Sequence, residues 1–251
     1  MINNVKLRLA VSTLGALVAV SVLAPAGSAT PASTDPARPR VGVDASGHSA
    51  RTTPAPAATS RFSEVPDIQW PPAGVVPPKH SADKLREFGA AMGERLAKSF
   101  PQVVPEARDM QLTPWSGEWT GVIEDGQDYL TTWAVYHDKI GRTATAYQIE
   151  APGHFTVSPR KWCEDNTPVS CTATKRADGS LVLHAVSEFK TEQGVRHIES
   201  ALHYRLDGTV VWTSAYDYDP IFDGQQGPDR DKIALTTAQL TELATDPALH
   251  L

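Results

Sequence analysis

The chain has 251 residues, 29 of them acidic against 23 basic, a formal charge of −6, and only two cysteines. An acidic balance with no basic stripe argues against nucleic acid and anionic membrane as partners. Small cations, basic peptides and neutral sugars remain open.

The first 29 residues read as a secretory signal peptide. Lys6 and Arg8 make a positive head, Leu9 to Leu23 is uncharged and apolar, and Ala24-Pro25-Ala26-Gly27-Ser28-Ala29 supplies small residues for cleavage after Ala29. The apolar run is shorter than the ~20 residues a spanning helix needs. No cysteine stands just behind it to carry a lipid, the first being Cys163. The expected product is secreted and extracellular, with no membrane attachment after cleavage. Losing Lys6 and Arg8 takes the charge to −8, and the arm that follows carries a net +1, so the folded part sits near −9. In an oxidising compartment Cys163 and Cys171 have only each other, which predicts a disulfide. The C-x-x-C spacing of a redox site is absent.

Residues 30–78 hold ten of the twenty prolines among Ala, Ser and Thr. Little apolar surface is present to offset the ordering entropy, so a disordered arm is expected. Phe62, Val65, Ile68 and Trp70 are the exception and can dock on the single domain expected over 79–251. Ser81 then caps a helix whose Leu85, Phe88, Met92, Leu96 and Phe100 recur at helical spacing until Pro101 stops it.

From Trp115 the period changes to that of strands. Segments 118–124, 129–138 and 142–150 are followed, after the cysteine loop, by 170–176, 181–190, 195–206 and 209–218. Asp125-Gly126, Asp178-Gly179 and Asp207-Gly208 are hairpin signals. Leu235 to Leu249 closes the chain as a short helix capped by Thr236 or Thr237, with Leu240, Leu243 and Ala244 on one face. The fold class is α+β: an antiparallel meander of six or seven strands, an N-terminal amphipathic helix and a short C-terminal helix.

A two-residue turn at Asp207-Gly208 sets Tyr204 opposite Val211, and a four-residue turn at 191–194 sets Leu183 opposite Leu202. One sheet face then reads Leu181, Leu183, Ala185, Ile198, Leu202, Tyr204 and Val211, expected beneath the helices. The other gathers Val182, His184, Val186, Glu188, His197, Glu199, His203, Arg205, Trp212, Tyr216 and Tyr218. A one-residue slip at Gly208 would exchange the faces of the last strand. Glu188, His197, Glu199, Trp212, Tyr216 and Tyr218 form the candidate binding face. Glu188, His197 and Glu199 are a weak set for Zn²⁺ or Mn²⁺, outweighed by a solvated sheet face. His203 lies roughly 20 Å along the strand, too far to share an ion. Asp217, Asp219, Asp223, Asp229 and Asp231 crowd one loop without a calcium-loop pattern, since Ile221 and Arg230 fall where ligands belong.

No Gly-x-Ser-x-Gly elbow occurs, and both cysteines are consumed by the disulfide. The carboxylate pairs Glu118 with Glu124 and Glu188 with Glu199 are what chance supplies in an acidic chain. No catalytic residue or cofactor is assigned.

Ala177-Asp178-Gly179-Ser180-Leu181, Leu206-Asp207-Gly208-Thr209-Val210-Val211 and the closing Leu235-Thr236-x-x-Gln239-Leu240-x-x-Leu243-Ala244-x-Asp246-Pro247 resemble the C-terminal half of secreted or lipid-anchored actinobacterial proteins of unknown function. The resemblance covers roughly residues 163 to 249. It implies export and an α+β domain, and brings no site residues. The expectation is a non-enzymatic extracellular module binding a cell-wall or other extracellular ligand, the alternative a small extracellular hydrolase with an unidentified site.

Overall fold

Two adjacent strands carry buried residues at alternate positions and form the first long hairpin of the sheet. In the computed structural model, which describes residues 61–117, 122–191, 194–221 and 230–251, these are β2 (Tyr129–His137) and β3 (Arg142–Glu150). They pair antiparallel from Tyr129 opposite Glu150 to His137 opposite Arg142. The Asp138 carboxylate holds their turn, accepting N–H groups from Ile140 and Gly141 at 2.8 and 3.1 Å and two from Arg230 at 2.6 and 3.1 Å. Burial raises the Asp138 pKa, but Arg230 and the two amides outweigh it, and the net shift is downward.

β1 (Arg108–Leu112) pairs on the outer side of β2, with a register break and a left-handed Asp109. The strand paired on this edge is thus β1, which lies before the expected first strand, 118–124. Residues 118–121 lie outside the described residues, and 122–124 are irregular. After β3 the chain passes through α2 (Pro159–Asn166) to the far edge. It returns hairpin by hairpin through β4 (Ser170–Lys175), β5 (Leu181–Thr191), β6 (Gly194–Tyr204) and β7 (Val210–Tyr216), until β7 pairs with β3. The order β1-β2-β3-β7-β6-β5-β4 is antiparallel throughout. The fold is α+β, with two meanders sharing a seam in place of a single meander.

α1 (Ala82–Val103) starts where Ser81 Oγ accepts the Lys84 N–H at 3.2 Å. It runs through Pro101, because in the last turn a proline forfeits only the bond to Ala97 before Val104 closes the helix on Phe100. α3 (Thr237–Ala244) has a capping box between Thr236 and Gln239. Leu85, Met92, Leu96 and Phe100 of α1 and Leu240, Leu243 and Ala244 of α3 pack on Leu130, Ala134, Tyr136, Tyr147, Ile149, Val182, Ala201, Val211 and Ala215. The helices therefore cover the face expected to be solvated, and the Leu181–Leu183–Leu202–Tyr204 face lies on the reverse.

That reverse face has its own cover. Phe62, Val65, Trp162 and Cys163 pack on Leu181, Leu183, Ala185, Leu202, Tyr204 and Val210. The Cys163–Cys171 disulfide, with Cα atoms 6.2 Å apart, ties α2 to β4. Residues 61–78 thus do not belong to a disordered arm: Val65 is fully buried, Trp70 Nε1 donates to Phe155 O at 2.7 Å, and Arg160 Nε donates to Val65 O at 2.8 Å. The expected signal peptide and residues 30–60 lie outside the described residues. Among the described residues, no helix is long and apolar enough to cross a membrane.

Candidate binding face

The β6–β7 hairpin decides which predicted site residues meet. Asp207-Gly208 is not a two-residue turn. Arg205 N–H donates to Thr209 O at 3.0 Å and Gly208 N–H to Arg205 O at 2.9 Å, with Gly208 at φ +90°. This is a three-residue loop with a left-handed glycine, and it inserts one residue relative to the expected register. Tyr204 therefore faces Val210, Leu202 faces Trp212 and Ile198 faces Tyr216. The six candidates divide: Glu188, His197 and Glu199 lie on the helix face, and Trp212, Tyr216 and Tyr218 on the reverse.

On the helix face Glu188 sits opposite His197 as expected. His197 Nε2 is 3.3 Å from Glu188 Oε1, and Nδ1 is 2.8 Å from Oδ2 of the buried Asp217. The bond to Asp217, against the opposing effect of burial, raises the His197 pKa. Both ring nitrogens are thus engaged by carboxylates, and Glu199 accepts a hydrogen bond from Thr237 Oγ1 at 2.5 Å. Among the described residues, no group of three His, Cys, Asp or Glu is placed to hold a metal. The weak metal set is instead an ion-pair network together with a tie to α3. Of the acidic loop, Asp219 pairs with Arg142 at 2.6 Å, while Asp223 and Asp229 lie outside the described residues.

At the other end of β6 a Ser–His contact invites a hydrolase reading, and its proton directions refuse it. Arginine only donates, so Arg205 Nε, 3.3 Å from His203 Nδ1, leaves the ring proton on Nε2. That Nε2–H donates to Ser180 Oγ at 2.9 Å, and Ser180 Oγ–H donates to Asp178 Oδ1 at 2.6 Å. Burial first, then the charges of Arg205 and Arg176, lowers the His203 pKa to about 4. The serine is held by a carboxylate and is not activated by a base. Arg205 also donates to Leu249 O at 2.6 Å and Asp246 O at 2.7 Å, while Asp246 pairs with Arg95 at 3.0 Å and caps Ala248 N–H at 3.0 Å. The closing Leu-Thr-x-x-Gln-Leu-x-x-Leu-Ala-x-Asp-Pro is accordingly a capping box, an apolar helix face and a pinned tail.

The reverse face carries the aromatic residues. Phe189, Tyr218, Tyr216 and Trp133 follow one another with ring centroids 5.8, 5.3 and 5.7 Å apart. Trp133 pairs with Ala146, and Ala146 with Ser214, so small side chains on β3 let the rings of β2 and β7 meet across it. Burial raises the pKa of both Tyr216 and Tyr218. Trp133, Trp212, Tyr218 and Phe189 stay half-exposed, and Gln148, beside Trp212, adds an amide. Where β3 ends, buried Glu150 lies opposite Tyr129. His154 stands between Glu150 and Asp128, Nε2 and Nδ1 each 3.4 Å from a carboxylate oxygen, and stacks on Tyr129 at 5.7 Å. The sequence pattern does not single out Trp133, Gln148 or Glu150, and it places Asp217 only in the acidic loop. Their alternation in 129–138 and 142–150 was visible, but the strand that aligns them, β7, was one residue out.

Comparison with known proteins returns nothing similar: no family model, curated protein or solved structure matches the chain.

Proposed function

We propose that the chain is an exported, non-enzymatic binding module that meets a cell-wall or other extracellular ligand with the half-exposed aromatic side of its sheet. The observation that carries this reading is the row Phe189–Tyr218–Tyr216–Trp133 on a face that α1 and α3 leave to the reverse. Rings with apolar faces and polar edges are the groups binding surfaces use most. The disulfide suits an oxidising compartment. The leader-like first 29 residues, and the resemblance of residues 163–249 to secreted proteins, support export.

The hydrolase alternative loses its most attractive nucleophile, since Ser180 donates its proton to Asp178. The test is co-sedimentation of the purified protein with insoluble cell-wall material. Wild type should pellet, and Trp133→Ala and Tyr218→Ala should remain in the supernatant while keeping the wild-type thermal midpoint to within a few degrees. Equal pelleting of all three would defeat the reading.

A further inference from the structure

On the reading just given, we propose that the Glu150 end of the aromatic face is a subsite for one ring of a neutral saccharide. Glu150 is 2% exposed, and its Oε2 is buried without a hydrogen-bond partner. Its other oxygen accepts an N–H from the Gln148 side-chain amide. Asp128 Oδ1, on the other side of the His154 ring, is likewise buried and unbonded. His154 Nε2 stands 3.4 Å from Glu150 Oε2, close enough for an ion pair when the ring is charged, but makes no hydrogen bond to that oxygen. Buried polar atoms with no partner are uncommon in native structures and invite one from outside.

The surroundings select the chemistry of that partner. Tyr129 lies opposite Glu150, and Trp212 lies opposite Gln148, both half-exposed. Two rings standing beside a carboxyl and an amide match a ring that is apolar on its faces and hydroxylated around its rim. Two carboxyl groups reject an anion such as a uronic acid. A metal ion is not the match, for no described triad of donors is placed to hold one. Burial raises the Glu150 pKa despite the opposing bond from Gln148, and the unbonded Oε2 can accept a sugar hydroxyl. Entry requires the His154 ring to swing away from Glu150. That ring is held by stacking on Tyr129 and sits in the turn after β3, and its side chain is 38% exposed.

The test is calorimetric titration of the full chain with chitotetraose and cellotetraose as neutral probes and tetragalacturonate as the anionic one. Wild type should bind at least one neutral probe saturably and the anionic one not at all. Glu150→Gln, which can still accept, should bind within about threefold of wild type, whereas Glu150→Leu should bind at least ~30-fold more weakly. Trp212→Ala should weaken binding about five- to tenfold through the lost ring contact. His154→Ala should bind no more weakly than wild type. Circular dichroism and thermal midpoints establish that each variant is folded. Should Glu150→Leu fail to fold, Gln148→Ala, expected to lose at least about fivefold, takes its place. Equal affinities of wild type, Glu150→Leu and Trp212→Ala would overturn the subsite. So would an absence of neutral-sugar binding in a protein that still sediments with wall material, and that result would leave the binding-module reading standing.

Discussion

The two faces of the sheet are built from different residues. On the helix face Ala134, Ala201, Thr213 and Ala215 are small and buried, and α1 and α3 come down onto them with Leu96, Phe100, Leu240 and Leu243. Gly89 of α1 brings the helix so close to Trp115 that an added Cβ would stand 2.9 Å from it. On the reverse face the same strands present Trp133, Trp212, Tyr216, Phe189 and Ile198. That face is covered over β4, β5, β6 and the start of β7 by α2 and residues 61–78, with Trp162 edge-on to Trp212. Small sheet residues mark where helices settle, and large half-exposed rings mark the part left for something else. The helix face carries the core of this molecule, and the open part of the reverse face is the surface we propose for binding.

Substitutions on each side of the sheet test that contrast. Phe100→Ala empties a fully buried site beside Tyr136 and should cost about 3–5 kcal/mol by denaturant titration, with ligand affinity of the folded protein unchanged. A loss under ~1 kcal/mol would mean the helix face is not the core. Replacing both Cys163 and Cys171 by Ala opens a loop of sequence separation 8 on the covered side and should cost about 2–3 kcal/mol on the chain-entropy model. Gly208→Ala forces a side chain into a left-handed backbone and to 2.9 Å from Val75. The expected cost is about 1–3 kcal/mol, and a neutral result would remove the basis for the observed β7 register.

The smallest effects are those of pH along β6, where two histidines on the helix face shift in opposite directions. His203, lowered from 6.5 to about 4, stays neutral in the folded chain while the unfolded chain takes up a proton. Its environment therefore costs stability as pH falls from 6.5 to 4. His197 is raised, so its contribution is fully present below about pH 6.5 and is lost as pH rises through its folded value. His203→Gln should flatten the acid decline in stability between pH 6.5 and 4, whereas His197→Gln should lower stability by a constant amount below about pH 6.5 and by progressively less as the pH rises above it. A His203→Gln curve parallel to wild type below pH 6.5, and a His197→Gln curve parallel to it above pH 6.5, would show that neither partner set acts as described.

Much of this was legible in the residues. Leu183 opposite Leu202 and Glu188 opposite His197 follow from the turn at 191–194, and both pairs form. The next hairpin was not legible, because Asp-Gly serves a two-residue turn and a three-residue loop equally well. The single residue between them turned over the whole of β7 and split the candidate face. α2 left a usable trace in Ser158-Pro159, a cap followed by proline at the first turn, but the disulfide had drawn the segment into a loop. The passage from β3 to the far edge had no local signal, since it depends on which exposed strand edge β7 finds. Of the site, the tryptophans and tyrosines were visible as residues but not as a row, and the orphaned oxygen of Glu150 exists only once the turn after β3 has folded over it.

The most direct measurement is hydroxyl-radical footprinting of the full chain with and without insoluble cell-wall polysaccharide, read side chain by side chain. Protection is expected at Trp133, Trp212, Phe189 and Tyr218, with labelling of Phe88 and His250 on the helix side unchanged. Protection at Phe88 and His250, with the four aromatic residues labelled as in the free protein, would contradict the assignment of the working surface to the reverse face.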